Sequence, residues 1–495
     1  MAPKYKSSLA ATIMFFVSLL VGGCAVGPNF KKPPAPNVST YTPAPVSNTS
    51  GTSGVVGGDA QTFLDGRDIP GEWWTLFHSK PLNDLIERSL KANPDIKAAQ
   101  AALLVAKENV LAQRGAYYPS VSAGFSATHA KSSSEISPVT NTNALNYSLY
   151  TPQVSVSFVP DVFGLNRRTV ESLKAQEEQA RFVFAATHIT LSSNVAAAAI
   201  QEASLRAQID ATNELIKINT DMLEILRNQF AKGYVSRLDV AAQESQLAQV
   251  TATLPPLLKQ LAQQRDLLAA LSGGFPNQDL PERFELSSLQ LPQEIPLSLP
   301  SQLVEQRPDV RQAEENWHSA CALIGVARAN RLPSFTLSAD AGSMATIFSH
   351  MFNNSGTGFW DVAGGVAQPV FEGGTLLHRE RAARAAYEQA AEQYRSTVLT
   401  AFQNVADTLH ALQLDADGLK ASAAAKDAAA VTLDLAKKQY QTGYVNYLAL
   451  LSAEITYQQA LINLVQAQTN RYADTAALFQ ALGGGWWNRP DIPKN

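Results

Sequence analysis

Leu435–Glu454 reads LAKKQYQTGYVNYLALLSAE. It reads as the end of one helix, a tight turn at Thr442-Gly443, and the start of a second helix. Gly fits that turn because helices commonly end in a left-handed residue, which Gly adopts without strain. The same pattern stands at Arg227–Glu244, RNQFAKGYVSRLDVAAQE. Phe230 aligns with Tyr440, Gly233-Tyr234-Val235 with Gly443-Tyr444-Val445, Leu238 with Leu448, and Glu244 with Glu454, all at an offset of 210. Two helical hairpins at a fixed offset imply an internal duplication.

Each hairpin is entered by a long run without internal Pro, about 168–231 and 374–442. At 1.5 Å per residue such helices are ~95–100 Å long. Ile209, Ile216, Leu223 and Phe230 repeat by seven, with Leu205 and Leu226 beside them. Val398, Val405, Leu412 and Leu419 do the same in the second copy, beside Phe402, Leu409 and Ala416. Heptads predict helices wrapped on helices. Ile218 and Ile225 mark a second seam, as a helix needs when it packs on both sides. Return helices are expected at about 236–271 and 446–482.

Further upstream, NPDIKAAQAALLVAKENVLAQRGAYYPSVSAG recurs as RPDVRQAEENWHSACALIGVARANRLPSFTLSA; Pro94, Ala112 and Pro119 match Pro308, Val326 and Pro333 at an offset of 214. A pair of strands follows each copy. Val121, Ala123, Phe125 and Ala127 alternate with small polar residues, and so do Val154, Val156 and Phe158 after a polar loop at roughly 129–150. In the second half the alternating sets are Phe335, Leu337, Ala339 and Ala341, then Trp360, Val362 and Val366. Such period-2 patterning over about 8–10 residues suits an outer-membrane strand, apolar toward lipid and small or polar toward a lumen. A half-buried soluble hairpin has the same alternation.

The N-terminus is a targeting segment. Lys4 and Lys6 precede an apolar run, Leu9–Val21, which at about 13 residues is too short to span a bilayer and right for a signal sequence. Leu20-Val21-Gly22-Gly23-Cys24 resembles a bacterial lipobox, which implies lipidation at Cys24; Ala25 in place of Asp implies sorting to the outer membrane. Cys321 is then alone, with no intrachain disulfide, and is expected as a small buried apolar residue. Residues 25–70 are rich in Pro, Ser, Thr and Gly and read as a tether, either holding the body at a distance or wrapping around it. Residues 273–300, with five Pro, read as an irregular connector.

Composition narrows the function. A formal charge of −4 with no charge blocks gives no argument for nucleic acid. The seven His are scattered and no phosphate-cradling loop or nucleophile motif occurs, so no enzyme, no cofactor and no metal site is expected. Four strands cannot close a membrane barrel, since the smallest have about eight, and an open edge is not tolerated in lipid. The membrane reading therefore demands an oligomer, and a water-filled lumen favours three copies over two.

Taken together, several stretches resemble the TolC-like outer-membrane efflux proteins, and within them the NodT or OprM-like lipoprotein branch. They are Cys24-Ala-Val-Gly-Pro-Asn-Phe, Trp74-Thr-Leu-Phe with Leu82 and Leu85, and Leu299-Pro-Ser-Gln-Leu-Val-Glu-Gln-Arg-Pro-Asp. Gln368-Pro-Val-Phe-Glu-Gly-Gly, Tyr440-Gln-Thr-Gly443 and Ala481-Leu-Gly-Gly-Gly-Trp-Trp complete the set. The resemblance implies a mixed α and β membrane protein: a homotrimeric duct whose twelve-stranded β-barrel continues into a long periplasmic α-helical barrel. It implies a periplasmic adaptor and an inner-membrane RND pump as partners, with outer-membrane lipid around the barrel. The expected organisation is a signal peptide at 1–23, a lipid-anchored flexible tether at 24–71, repeats at 72–272 and 301–483 around the connector at 273–300, and a tail at 484–495.

The expected function is the passive exit duct of an RND efflux pump for drugs or other toxic small molecules. A type I secretion duct shares the architecture, and a periplasmic coiled-coil structural lipoprotein without a pore is the reading from another class. Adaptor docking is assigned to Gly233, Tyr234, Val235, Gly443, Tyr444 and Val445, and the gate to Tyr440, Gly443, Tyr447, Leu448, Ser452, Arg237 and Asp239. Where the resembling family usually carries a lumen-facing Asp, this chain has Ser452, and Ala449 one turn earlier is also uncharged. The expected gate is therefore an apolar ring of Leu448 with tyrosine contacts, Arg237 and Asp239 being either part of it or a solvated pair.

Overall fold

The computed structural model describes residues 25–131, 146–353 and 356–493. Cys24 and the signal segment lie outside the described residues, as does most of the polar loop after Lys131. In chain order the strands are β1 (Thr62–Asp65), β2 (Ser120–Lys131), β3 (Asn146–Phe158), β4 (Glu294–Leu297), β5 (Ser334–Ser343) and β6 (Gly358–Ala367). The helices are α1 (Lys80–Ala92), α2 (Pro94–Arg114), α3 (Leu165–Ala231), α4 (Arg237–Leu271), α5 (Pro300–Gln306), α6 (Pro308–Ala329), α7 (His350–Asn353), α8 (Thr375–Gln441) and α9 (Tyr447–Ala481). Both long helices, α3 and α8, have 67 residues, and both return helices, α4 and α9, have 35.

The chain forms two compact units. One draws on residues up to 32, 103–179 and 313–394. Its centre is an antiparallel sheet in the order β2-β3-β5-β6. The registers align the alternating residues into rows. Ala123 faces Val154, which faces Ala341, which faces Trp360; Val121, Val156, Ala339 and Val362 form the next row. On the opposite face Ser122, Ser155, Asp340 and Asp361 stand in one row, and the Ser155 hydroxyl donates to Asp340. The apolar rows are bare in the single chain: Val121, Phe125, Val154, Leu337, Trp360, Val362 and Val366 are all exposed. Neither β2 nor β6 has a partner on its outer edge among the described residues.

Residues 25–32 pack in the same unit. The Val26 N–H donates to Phe163 O at 3.0 Å. The buried Arg168 guanidinium donates to Val26 O, Gly27 O and Asn29 Oδ1. Gly27 has φ +100°, and a Cβ there would stand 2.5 Å from Gly325 Cα, so no other residue fits. Phe30 stacks on His318 with centroids 4.6 Å apart and meets Trp317 edge-on at 5.5 Å. Cys321 is buried against Pro28 O at 3.8 Å.

The other unit draws on residues 33–102, 180–312 and 395 onward. Here too the N-terminal stretch wraps around the body. Arg471, fully buried, donates to Asp59 O at 2.9 Å and to Leu412 O at 3.0 Å. The stretch also carries β1, which pairs in parallel with β4 of the expected irregular connector. These four-residue strands are too short to show a period, so the sequence pattern did not reveal them. In the Gln-Arg-Pro-Asp stretch, Arg307 donates to Ala481 O at 2.9 Å, satisfying an end carbonyl of α9, and is held by Asp309 at 2.6 Å. Gln306 O accepts the Trp486 indole N–H at 2.6 Å. Val405, Leu409, Leu412, Ala416 and Leu419 of the second heptad run are almost wholly buried. Of the second seam on α3, Ile218 is half-buried and Ile225 exposed.

Candidate functional site

The two hairpin tips lie in this second unit and end in the same way. The Gly233 N–H donates to Phe230 O and the Tyr234 N–H to Gln229 O, at 2.9 Å each. The Gly443 N–H donates to Tyr440 O at 3.1 Å and the Tyr444 N–H to Gln439 O at 2.9 Å. Both Gly are left-handed, at φ +79° and +77°, with no atom within 4 Å of an added Cβ. Backbone conformation therefore requires Gly there, whereas space does not. The next helices start on caps. Asn446 Oδ1 accepts the Ala449 N–H at 3.0 Å. Ser236 and Asp239 form a reciprocal capping box, the Asp239 carboxylate accepting the Ser236 N–H at 2.9 Å.

This corrects one expectation. Arg237 and Asp239 are not partners. Asp239 is spent on the cap, and Arg237 reaches Glu244 at 3.4 Å, beside the shorter Arg227–Glu244 pair at 2.9 Å. A carboxylate three residues into a helix satisfies local N–H groups first.

The two hairpins meet over a shared apolar cluster of Leu223, Leu226, Val240, Leu433, Tyr447, Leu450 and Ala453. Polar bonds cross it. The Tyr440 hydroxyl donates to Gln229 Oε1 at 3.0 Å, and the Tyr447 hydroxyl donates to Gln243 Oε1. The Gln243 amide in turn donates to Asn219 O at 2.9 Å and Oδ1 at 3.0 Å. Burial pushes both tyrosine hydroxyls further above their ordinary range, so they act as neutral donors.

The expected gate residues thus divide. Tyr440 and Tyr447 are brought together, with ring centroids 6.0 Å apart, and tie hairpin to hairpin inside one chain. Leu448 and Ser452 stand exposed on α9, away from that cluster; so do Tyr234 and Tyr444 at the turns, while Val235 and Val445 are half-buried. Sequence reading missed Gln229, Gln243 and Asn219. The signal available was three amides on heptad helices near apolar positions, which is weak without the contact partner.

Among the described residues no group of His, Cys, Asp or Glu is placed to hold a metal ion. A cavity of about 670 Å³ opens near the helical end of the four-stranded sheet, between Tyr118, Ser157, Phe163, Asn166, Leu332 and Phe335. Its one carboxylate, Asp161, accepts the N–H groups of Asn166 and Arg167 at the start of α3, which is a structural role.

The sequence model of the family described as Outer membrane efflux protein matches residues 85–274 and 299–484. The chain belongs to that family. The toluene efflux pump outer membrane protein TtgF of Pseudomonas putida is 29% identical over 487 residues, covering 96% of this chain and 97% of TtgF. The antibiotic efflux pump outer membrane protein ArpC of Pseudomonas putida is 27% identical over 489 residues, covering 98% and 96%. The crystal structure of the outer membrane protein VceC from Vibrio cholerae superposes with a TM-score of 0.78 at 26% identity, covering 84% of this chain and 99% of VceC. Membership makes this chain an outer-membrane efflux protein, in a family of efflux ducts and not of enzymes. The matched segments contain both hairpins and all four strands of the larger sheet.

Proposed function

We propose that three copies of this chain form the outer-membrane exit duct of a tripartite RND-type pump that expels toxic small molecules. The observation that carries the reading is the four-stranded sheet with an exposed apolar face, a polar face and two unpartnered edges. An antiparallel sheet of even strand number closes by repetition, because β6 of one copy runs antiparallel to β2 of the next. Three copies give a twelve-stranded barrel with Ser122, Ser155, Asp340 and Asp361 toward water. The duplicated α3–α4 and α8–α9 hairpins supply the helical tube in the periplasm. Lipidation at Cys24 adds an anchor.

Transport through such a duct is passive, and the closed state is held at the tips by Tyr440–Gln229 and Tyr447–Gln243. The exposed turn residues Tyr234 and Tyr444 are the docking points for the adaptor. Relatives named for toluene and antibiotic efflux support apolar and amphiphilic cargo. Deleting the gene should raise susceptibility to toluene and to antibiotics, and the plasmid-borne full chain should restore tolerance. Unchanged susceptibility to both compound classes would count against the reading.

A further inference from the structure

The duplication places a carboxylate at the same point of both hairpins, and the two copies differ. In the first, Glu244 of α4 is half-buried and paired with Arg227 of α3 at 2.9 Å. In the second, the positions 210 residues on are Glu454 of α9 and Lys437 of α8. Here the pair is open. Glu454 is only 4% exposed, and neither carboxylate oxygen has a hydrogen-bond partner. Its neighbours in sequence, Leu450 and Ala453, belong to the apolar cluster that joins the hairpins. An unpaired charge in such a place is costly, and the group keeps its proton instead.

We infer that Glu454 is a proton-operated latch: neutral and buried while the two hairpins are packed together, and charged and paired with Lys437 when they separate. The inference rests on the reading of these tips as the gate. The groups acting on Glu454 can be named. Burial dominates and lifts its pKa to about 7; Lys437 of α8 opposes this only in part. Tyr447 feels Glu454 from the same helix, and Asp239 of α4 acts on Tyr447 and Tyr440. On α3, Arg227 is engaged by Glu244. Lys437 is the cation whose charge acts on Glu454.

The direction follows from linkage. The packed form holds the proton up to about 7, while an exposed Glu releases it near 4.5. Rising pH then favours the separated form, by roughly tenfold per pH unit between about 5 and 7, levelling above that. Closure is favoured on the acid side.

The test uses the full-length chain with spin labels at the exposed turns, Tyr234→Cys and Tyr444→Cys, in a Cys321→Ala background. The distance between the labels is measured by pulsed electron resonance from pH 5 to pH 8.5. The expected result is a separated population that grows with pH and flattens above about 7, abolished by Glu454→Gln. Lys437→Gln should reduce the separated population at pH 8. Distances that do not change with pH, or a response that survives Glu454→Gln, would overturn the inference. Labelled chains are diluted into an excess of unlabelled chains so that the labels report one chain, and failure of the duct reading shows separately, as absent conductance.

Discussion

The Tyr447 hydroxyl donates to Gln243 Oε1 across the interface of the two hairpins, and both side chains are buried. Removing that hydroxyl strands the Gln243 oxygen inside the packed tip. The expected cost is about 1–3 kcal/mol, borne only by the packed state. Tyr447→Phe should therefore raise resting conductance in planar bilayers, and the more exposed Tyr440→Phe should raise it less. Leu448→Ala should raise it more than Ser452→Ala, because Leu448 presents an exposed apolar side chain and Ser452 only a hydroxyl. No change in resting conductance with Tyr447→Phe would remove this bond from the gate.

Gly443→Val forces a β-branched residue into φ +77° with nothing nearby to clash. The strain is ~1 kcal/mol or more and local to the turn. Efflux and adaptor crosslinking at Tyr444 should fall while the detergent-resistant assembly survives on an unheated gel. Gly233→Val should behave likewise. Wild-type efflux and crosslinking in both variants would place docking elsewhere.

His318 lies between Glu171, at 3.3 Å, and Glu315, at 3.0 Å, and carries Phe30 on its ring. The two carboxylates raise its pKa to about 9. Its charged form is favoured by folding, so this contribution is full below about 6.5 and fades as pH rises through 9. The arm at residues 25–32 should loosen between pH 8 and 10, read as a change in Trp317 fluorescence. His318→Gln should remove that transition. A transition unchanged in His318→Gln would assign it to another group.

Cys24→Ala should abolish incorporation of labelled fatty acid. The protein should nonetheless stay in the membrane fraction, since a lipid anchor adds reversible affinity beside a spanning barrel. Fatty acid retained by the variant would refute the lipobox.

Much of this was legible in the sequence. The hairpins were, because Gly at a helix end and an offset of 210 are visible in letters. The strand faces were, because period 2 is a local signal, and the registers only had to keep Val156 beside Ala339 and Val362. What was not legible depends on contacts between distant residues. Tyr447 meets Gln243 from 204 positions away. Strands β1 and β4 are four residues each and gain meaning only as a pair. Glu244 and Glu454 look the same in sequence; only packing shows one paired with Arg227 and the other alone.

In the proposed duct, four strands per chain close, by threefold repetition, into a water-filled barrel. The most direct measurement combines two readings on the purified full-length protein: its migration on a gel without heating and its single-channel conductance in planar bilayers. The expected result is a detergent-resistant trimer that dissociates on boiling and conducts ions, with conductance rising in Tyr447→Phe. A stable monomer that conducts nothing would contradict it and favour a periplasmic coiled-coil lipoprotein without a pore.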